Sequence, residues 1–81
     1  MFYYVYLIRS FTTFGKIYVG YTTNLEERLK THNAGDSIYT KADRPWQLVT
    51  YLVFTNKQLA MDFEKYLKSH SGRAFSEKRL Y

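Results

Sequence analysis

Eighty-one residues leave room for one domain and one modest core, which excludes a large internal substrate cavity. Cysteine is absent, and that removes thiolate zinc sites, thiol nucleophiles and disulfide scaffolds together. Twelve Lys and Arg stand against seven Asp and Glu, a formal charge of +5, so the partner this balance would attract is a polyanion.

The hydrophobic share is 46%, with nine Tyr, six Phe and one Trp, enough apolar material to fold without disulfides. The apolar run Phe-Tyr-Tyr-Val-Tyr-Leu-Ile from Phe2 is too short to cross a bilayer and no signal-peptide pattern precedes it, so a cytoplasmic protein without a membrane partner is expected. Tyr3 to Arg9 is β-branched and aromatic with few breaks, which suits a strand covered on both faces. Ser10 to Gly15 is polar and ends in glycine, a hairpin loop, and Lys16 to Tyr21 forms a second strand antiparallel to the first. Two overlapping capping boxes, Thr23 with Glu26 and Asn24 with Glu27, start a helix over Leu25 to Asn33 that Gly35 stops. Gly35 to Pro45 has turn formers and charges without a period and reads as a surface loop. Trp46 to Phe54 is a third strand. A second helix starts at Thr55 or Asn56, supported by a Thr55 to Gln58 capping box; its Leu59, Phe63, Tyr66 and Leu67 recur at helical spacing and it should stop near Gly72. The remaining residues, 71 to 81, form a basic tail that can add a short turn or helix. The expected class is α+β, a small three-stranded antiparallel or mixed sheet with helices packed on it in the order β-β-α-β-α, within one domain over residues 1 to 81 whose core spans about 3 to 70.

Arg28 and His32 lie four apart on the first helix and share a face beside Leu25 and Leu29. An arginine there can hold a phosphate oxygen pair, and a neighbouring histidine can move a proton near neutral pH; the plainer reading is a surface arginine and a histidine filling the helix end. Tyr6 and Tyr18 belong to the first two strands and would share a face if the hairpin register allows, where sheet packing is the ordinary role of such rings. Gly20 inside a strand marks a place where a ligand or another backbone comes close. Glu64 sits at the margin of the second helix's apolar stripe, and its plainer role is an i, i+4 pair with Lys68. His70, placed at the end of that helix, would favour the helix dipole. A Gly-rich phosphate loop, paired His ligands, a nucleophile elbow and a close acidic pair are all missing, which argues against a two-metal centre.

In order, Tyr4-Val5-Tyr6, then Tyr18-Val19-Gly20 after eleven residues, then Asn24, Arg28, His32 and a late helical Glu64, the residues resemble the GIY-YIG endonucleases, most closely the short stand-alone members. The match covers roughly residues 3 to 70. The resemblance implies that Tyr6 and Tyr18 line the site, that one of them activates or positions the attacking water, and that Arg28 binds a non-bridging phosphate oxygen. It further implies that His32 assists proton transfer and that Glu64 holds a single Mg²⁺ or Mn²⁺ stabilising the leaving oxygen. A tyrosine base has an ordinary pKa of about 10 and needs the metal or a cation such as Lys16 to lower it. The sequence departs from the family pattern at Tyr4, where the first signature has glycine, and at Val19, where the second has isoleucine; no downstream asparagine matches one that some members use.

The expectation is therefore a metal-dependent endonuclease acting on DNA through backbone charge and shape, with Lys16, Lys41, Arg44, Arg73 and Lys78 as phosphate contacts and with DNA repair or recombination as a setting. The little surface left on 81 residues argues against reading bases. Two other readings are a non-catalytic nucleic-acid-binding module whose exposed tyrosines stack on bases, and a partner-binding module that keeps the fold without the chemistry.

Overall fold

A computed structural model describes residues 1 to 81. Three strands, β1 (Tyr3–Ser10), β2 (Ile17–Thr22) and β3 (Trp46–Phe54), and three helices, α1 (Leu25–Ala34), α2 (Lys57–Leu67) and α3 (His70–Arg79), follow in the order β-β-α-β-α-α. The sheet is wholly antiparallel with spatial order β2-β1-β3. The most apolar strand thus lies in the middle, and Val5 to Ile8 are buried on both its faces, as its unbroken aliphatic and aromatic run predicts.

One face packs Val5 and Leu7 against Ala60 and Leu67 of α2, with Phe63 and Leu80 closing the layer. The other packs Tyr6, Ile8 and Trp46 beneath Leu25 and Leu29 of α1. A bulge between Leu7 and Ile8 shifts the pairing with β3, so that Tyr6 faces Tyr51 while Ile8 faces Leu48 and Ser10 faces Trp46. The extra residue swaps which parity of β3 meets α1, and it brings Trp46 and Leu48 into the Tyr6 layer. Asn33 then ties α1 to this strand, accepting from the Trp46 backbone N–H at 2.6 Å and donating to its carbonyl at 3.1 Å.

Of the two starts offered at α1, Asn24 is the cap: its side chain accepts from the Glu27 N–H and its amide donates to the Glu27 carboxylate, while its backbone N–H goes to Thr22 Oγ1 in place of the reciprocal capping-box bond. The helix ends at Gly35, whose φ of +83° is open to glycine at no steric cost. The segment after it is not all surface loop. It contains a 3-10 turn at Lys41–Asp43 and a fully buried Thr40.

The largest departure from expectation is at the C-terminal end. Of the two starts offered for α2, Asn56 is the cap, and α2 stops at Leu67, short of Gly72, because Ser69 caps a new helix, accepting from the Gly72 N–H. Residues 70 to 79 are therefore a ten-residue helix with Gly72 and Ser76 buried, more than the short turn or helix expected within the basic tail. A Cβ at Gly72 would come within 1.8 Å of the Tyr66 carbonyl oxygen, so glycine is what lets α3 fold back against the end of α2. His70 begins α3 and does not end α2, which reverses the dipole argument made for it. No helix is long and apolar enough to cross a membrane.

Candidate active site

The hairpin register pairs Tyr6 with Gly20 and Ile8 with Tyr18, which puts both tyrosines on the α1 face. The Tyr6 ring lies across β2 over Gly20, where a Cβ would be 2.3 Å from its Cζ and Oη. The close approach anticipated at this glycine is thus a side chain of the protein. Tyr6 Oη reaches His32 Nε2 at 2.7 Å, and His32 Nδ1 meets Thr40 Oγ1 at 2.7 Å. Trp46 Nε1 donates to the Thr40 carbonyl at 2.9 Å, which fixes the end of the chain.

Tyr6 and His32 are each 1% exposed. Burial, and then the Arg28 guanidinium, hold the His32 imidazole below its ordinary range, so the ring is neutral at pH 7. A neutral imidazole donates through one nitrogen and accepts through the other; the Tyr6 and Thr40 hydroxyls therefore play opposite roles, and neither ring nitrogen is left for solvent. Burial, followed by Tyr18, pushes the Tyr6 phenol far above its ordinary value, with Arg28 pulling against them and Glu64 adding to them. An ionised Tyr6 at neutral pH is excluded by that environment.

The groups with open faces surround this buried pair. Tyr18 is half-buried, meeting the His32 ring edge-on at 5.2 Å and Trp46 at 6.3 Å between centroids. Arg28, one turn before His32, is exposed, has no carboxylate partner, and borders an all-polar hollow with Thr22, Thr23 and Thr31. Glu64 belongs to α2, which packs on the opposite face of the sheet, and its charge is nonetheless felt at Tyr6. Its carboxylate accepts from Lys68 Nζ at 3.1 Å, and that same ammonium lies 5.7 Å from the centre of the Tyr18 ring.

Tyr6, Tyr18, Arg28, His32 and Glu64 are thus brought to one place, with His32 inside it and not at its surface. The cation over Tyr18 is Lys68, and Lys16 instead pairs with Asp43 at 3.4 Å. Thr13 donates to the same carboxylate at 2.6 Å, and Thr13 with Lys16 holds the Asp43 carboxyl below its ordinary range. Arg73 borders the groove beside Tyr18 and Lys68. Lys41, Arg44 and Lys78 do not: Arg44 packs its guanidinium on Gly35, Lys41 lies in the 3-10 turn, and Lys78 is in the last turn of α3. Thr40 escaped the sequence reading because a lone threonine among turn formers carries no periodic signal, whereas Lys68 was visible as the i+4 partner of Glu64.

As a metal site the donor set is lean. Nowhere do three or more His, Cys, Asp or Glu side chains gather. One carboxylate at an open edge fits an ion such as Mg²⁺, which keeps most of its waters and takes further ligands from a substrate phosphate; Glu64, its side chain 24% exposed, would hold it.

The family profile described as the GIY-YIG catalytic domain matches residues 2–79. A UPF0213 protein of Staphylococcus haemolyticus is 44% identical over 69 residues, 84% of this chain and 82% of that protein. UPF0213 proteins of several Streptococcus pyogenes strains are 44% identical over 66 residues, 80% of this chain and 70% of theirs. Among solved structures, the solution structure of a UPF0213 protein from Bacillus halodurans is 31% identical, with a TM-score of 0.60, and the likeness covers 99% of this chain and 87% of that one.

Proposed function

This chain belongs to the GIY-YIG catalytic domain family, a family of nucleases, and from that premise we propose that it is a metal-dependent endonuclease hydrolysing DNA phosphodiester bonds, directed by backbone charge and shape. The observation that carries this reading is the unpaired Arg28 guanidinium set beside the Tyr6–His32 pair, with Tyr18 and Glu64 at its rim. Arg28 binds a non-bridging oxygen of the scissile phosphate and stabilises the charge that builds on it. Tyr18, the phenol with an open face, positions the attacking water. Tyr6 and His32 act through their hydrogen bond: the pair is desolvated and anchored by Thr40, so it holds the floor of the site and fixes where the Arg28 and Tyr18 side chains stand. Bound at Glu64 with the substrate phosphate, a divalent ion such as Mg²⁺ or Mn²⁺ would supply charge stabilisation for the leaving oxygen.

The Glu64–Lys68 ion pair favours a second reading, a nucleic-acid-binding module in which the carboxylate stays neutralised and no bond is broken. Labelled linear duplex, single strand, flap and branched DNA, and RNA, incubated with Mg²⁺, Mn²⁺ or EDTA, separate the two. Metal-dependent cutting that falls by about a hundredfold or more in Arg28→Ala and Glu64→Ala supports hydrolysis. Binding without cutting in any metal, or variants that cut as well as the wild type, would leave the module reading in its place.

A further inference from the structure

The free edge of β2 faces α3 across a groove of about 490 Å³ that opens at Tyr18 and Lys68 and runs to Gly15 and Tyr81. A second hollow of about 570 Å³ shares Gly15, Ile17 and Tyr81 with the first and continues to Phe14, Phe11 and Arg9. The two form one track leading away from the candidate active site. Its charges are all basic at the surface: Arg73 and Arg9 have no acidic partner, while Lys16 and Lys68 have one each. Its far end is aromatic. Phe14 is 105% exposed and Phe11 63%, an arrangement that gains nothing in the isolated protein.

The loop carrying these rings is braced. Ser10 Oγ accepts from the backbone N–H groups of Thr12 and Thr13, and Thr13 and Lys16 both hold Asp43. A ring presented on a fixed loop loses little entropy when something stacks on it. From Tyr18 in β2 the track passes Ile17 and Lys16 to the turn at Gly15, so the aromatic loop follows directly on the strand that carries Tyr18.

We propose that this track receives a single-stranded extension of the nucleic acid held at the active site, its phosphates lying along Lys16, Lys68 and Arg73 and its bases stacking on Tyr81 and Phe14. The inference rests on the nuclease reading for its occupant and adds a substrate class to it, DNA in which an unpaired strand leaves a duplex. Bases within a duplex have both faces covered by their neighbours and gain nothing from an exposed phenyl ring, whereas unpaired bases do. A peptide could pair with the edge of β2, but the unpaired arginines favour a strand that carries a charge at every unit.

The test is fluorescence anisotropy in EDTA with a short labelled duplex, either blunt or carrying a single-stranded extension, and with a polyglutamate competitor. The wild type should bind the extended duplex about tenfold more tightly than the blunt one, and Phe14→Ala combined with Tyr81→Ala should bring the two affinities towards parity. Circular dichroism checks that the double variant, whose rings are exposed, remains folded. Equal wild-type affinities, a preference that survives the double variant, or displacement by polyglutamate as effective as by oligonucleotide would each overturn the track. Cleavage is not read in this assay, so a protein that prefers the extension but cuts nothing keeps the track and loses the hydrolase assignment. One that cuts without the preference does the reverse.

Discussion

Replacing Gly20 with alanine asks whether the Tyr6 ring is held across β2 as described. The new methyl would stand 2.3 Å from Tyr6 Cζ and Oη and 2.8 Å from Cε1, against a normal carbon contact of about 3.5–4.0 Å. The ring must move by more than about 1 Å. A free tyrosine would rotate away cheaply, but this one is buried and bonded to His32 at 2.7 Å. Overpacking costs about 1–3 kcal/mol, and stranding the buried hydroxyl and Nε2 adds about 1–3 kcal/mol. Alanine recovers about 0.5–1 kcal/mol because glycine is a poor strand residue. The net expectation is about 3 kcal/mol, a large part of the roughly 4–12 kcal/mol available to a chain of this size. In urea, with a slope of about 1.5 kcal/mol/M, the midpoint should fall by about 2 M. Gly15→Ala is the control: its Cβ meets nothing within 4 Å, so only its φ of +76° is penalised, by about 1 kcal/mol. Tyr6→Leu removes the ring tip, and Gly20→Ala made in that background should cost less than about 0.5 kcal/mol. A single Gly20→Ala protein as stable as the wild type would refute the placement of the ring, and equal costs in both backgrounds would show that the penalty arises elsewhere.

At Gly72 the obstruction is backbone, the Tyr66 carbonyl oxygen and the Leu67 Cα, so no rotamer relieves it; Gly72→Ala should cost about 3 kcal/mol or more and remove hydrogen-exchange protection from α3 before the sheet. The folded His32 value lies below the ordinary 6.5, so the unfolded chain binds the proton first. The stability this group contributes is complete above about pH 6.5 and is lost as pH falls from there through the folded value, by at most about 1.4 kcal/mol per pH unit; urea midpoints measured at pH 7.5, 6.5 and 5.5 should show it, and His32→Gln should flatten the profile. Lys68→Met should leave stability nearly unchanged, since an exposed ion pair contributes only about 0.2–1 kcal/mol, but should tighten the apparent Mn²⁺ affinity about threefold by freeing Glu64. An unchanged or weaker Mn²⁺ affinity would show that Lys68 does not hold the carboxylate against the ion.

Most of the sheet was legible because its determinants are local. The uninterrupted Tyr3 to Arg9 run demanded a central strand, and Gly15 and Asn24 punctuated the chain where it turns and where α1 begins. The bulge opposite Leu7 and Ile8 was not legible, because β3 reads as a nearly continuous apolar run and its change of facing has no mark in composition. Nor was the extent of α3: its mixed polar sequence has no strong apolar stripe, and what holds it is the backbone contact at Gly72, the cap at Ser69 and the buried Ser76 hydroxyl, which donates to the Gly72 carbonyl within the helix. For those elements tertiary contact overrides a weak local signal.

The candidate site was legible as a set of residues and not as an arrangement, and the reason is physical. Spacing along α1 places Arg28 and His32 on one face but cannot say how deep each side chain ends. Depth comes from Thr40, which arrives from a segment with no period and closes over His32. Once His32 is covered, the Tyr6 hydroxyl becomes its remaining partner, and Gly20 becomes necessary because the ring that carries this hydroxyl must cross the strand. The same closure sends Arg28 outward, since a guanidinium cannot share that desolvated space without a carboxylate. Each assignment forces the next, and the division they produce is between an inner neutral pair, Tyr6 and His32, and an outer charged rim of Arg28, Glu64 and Lys68.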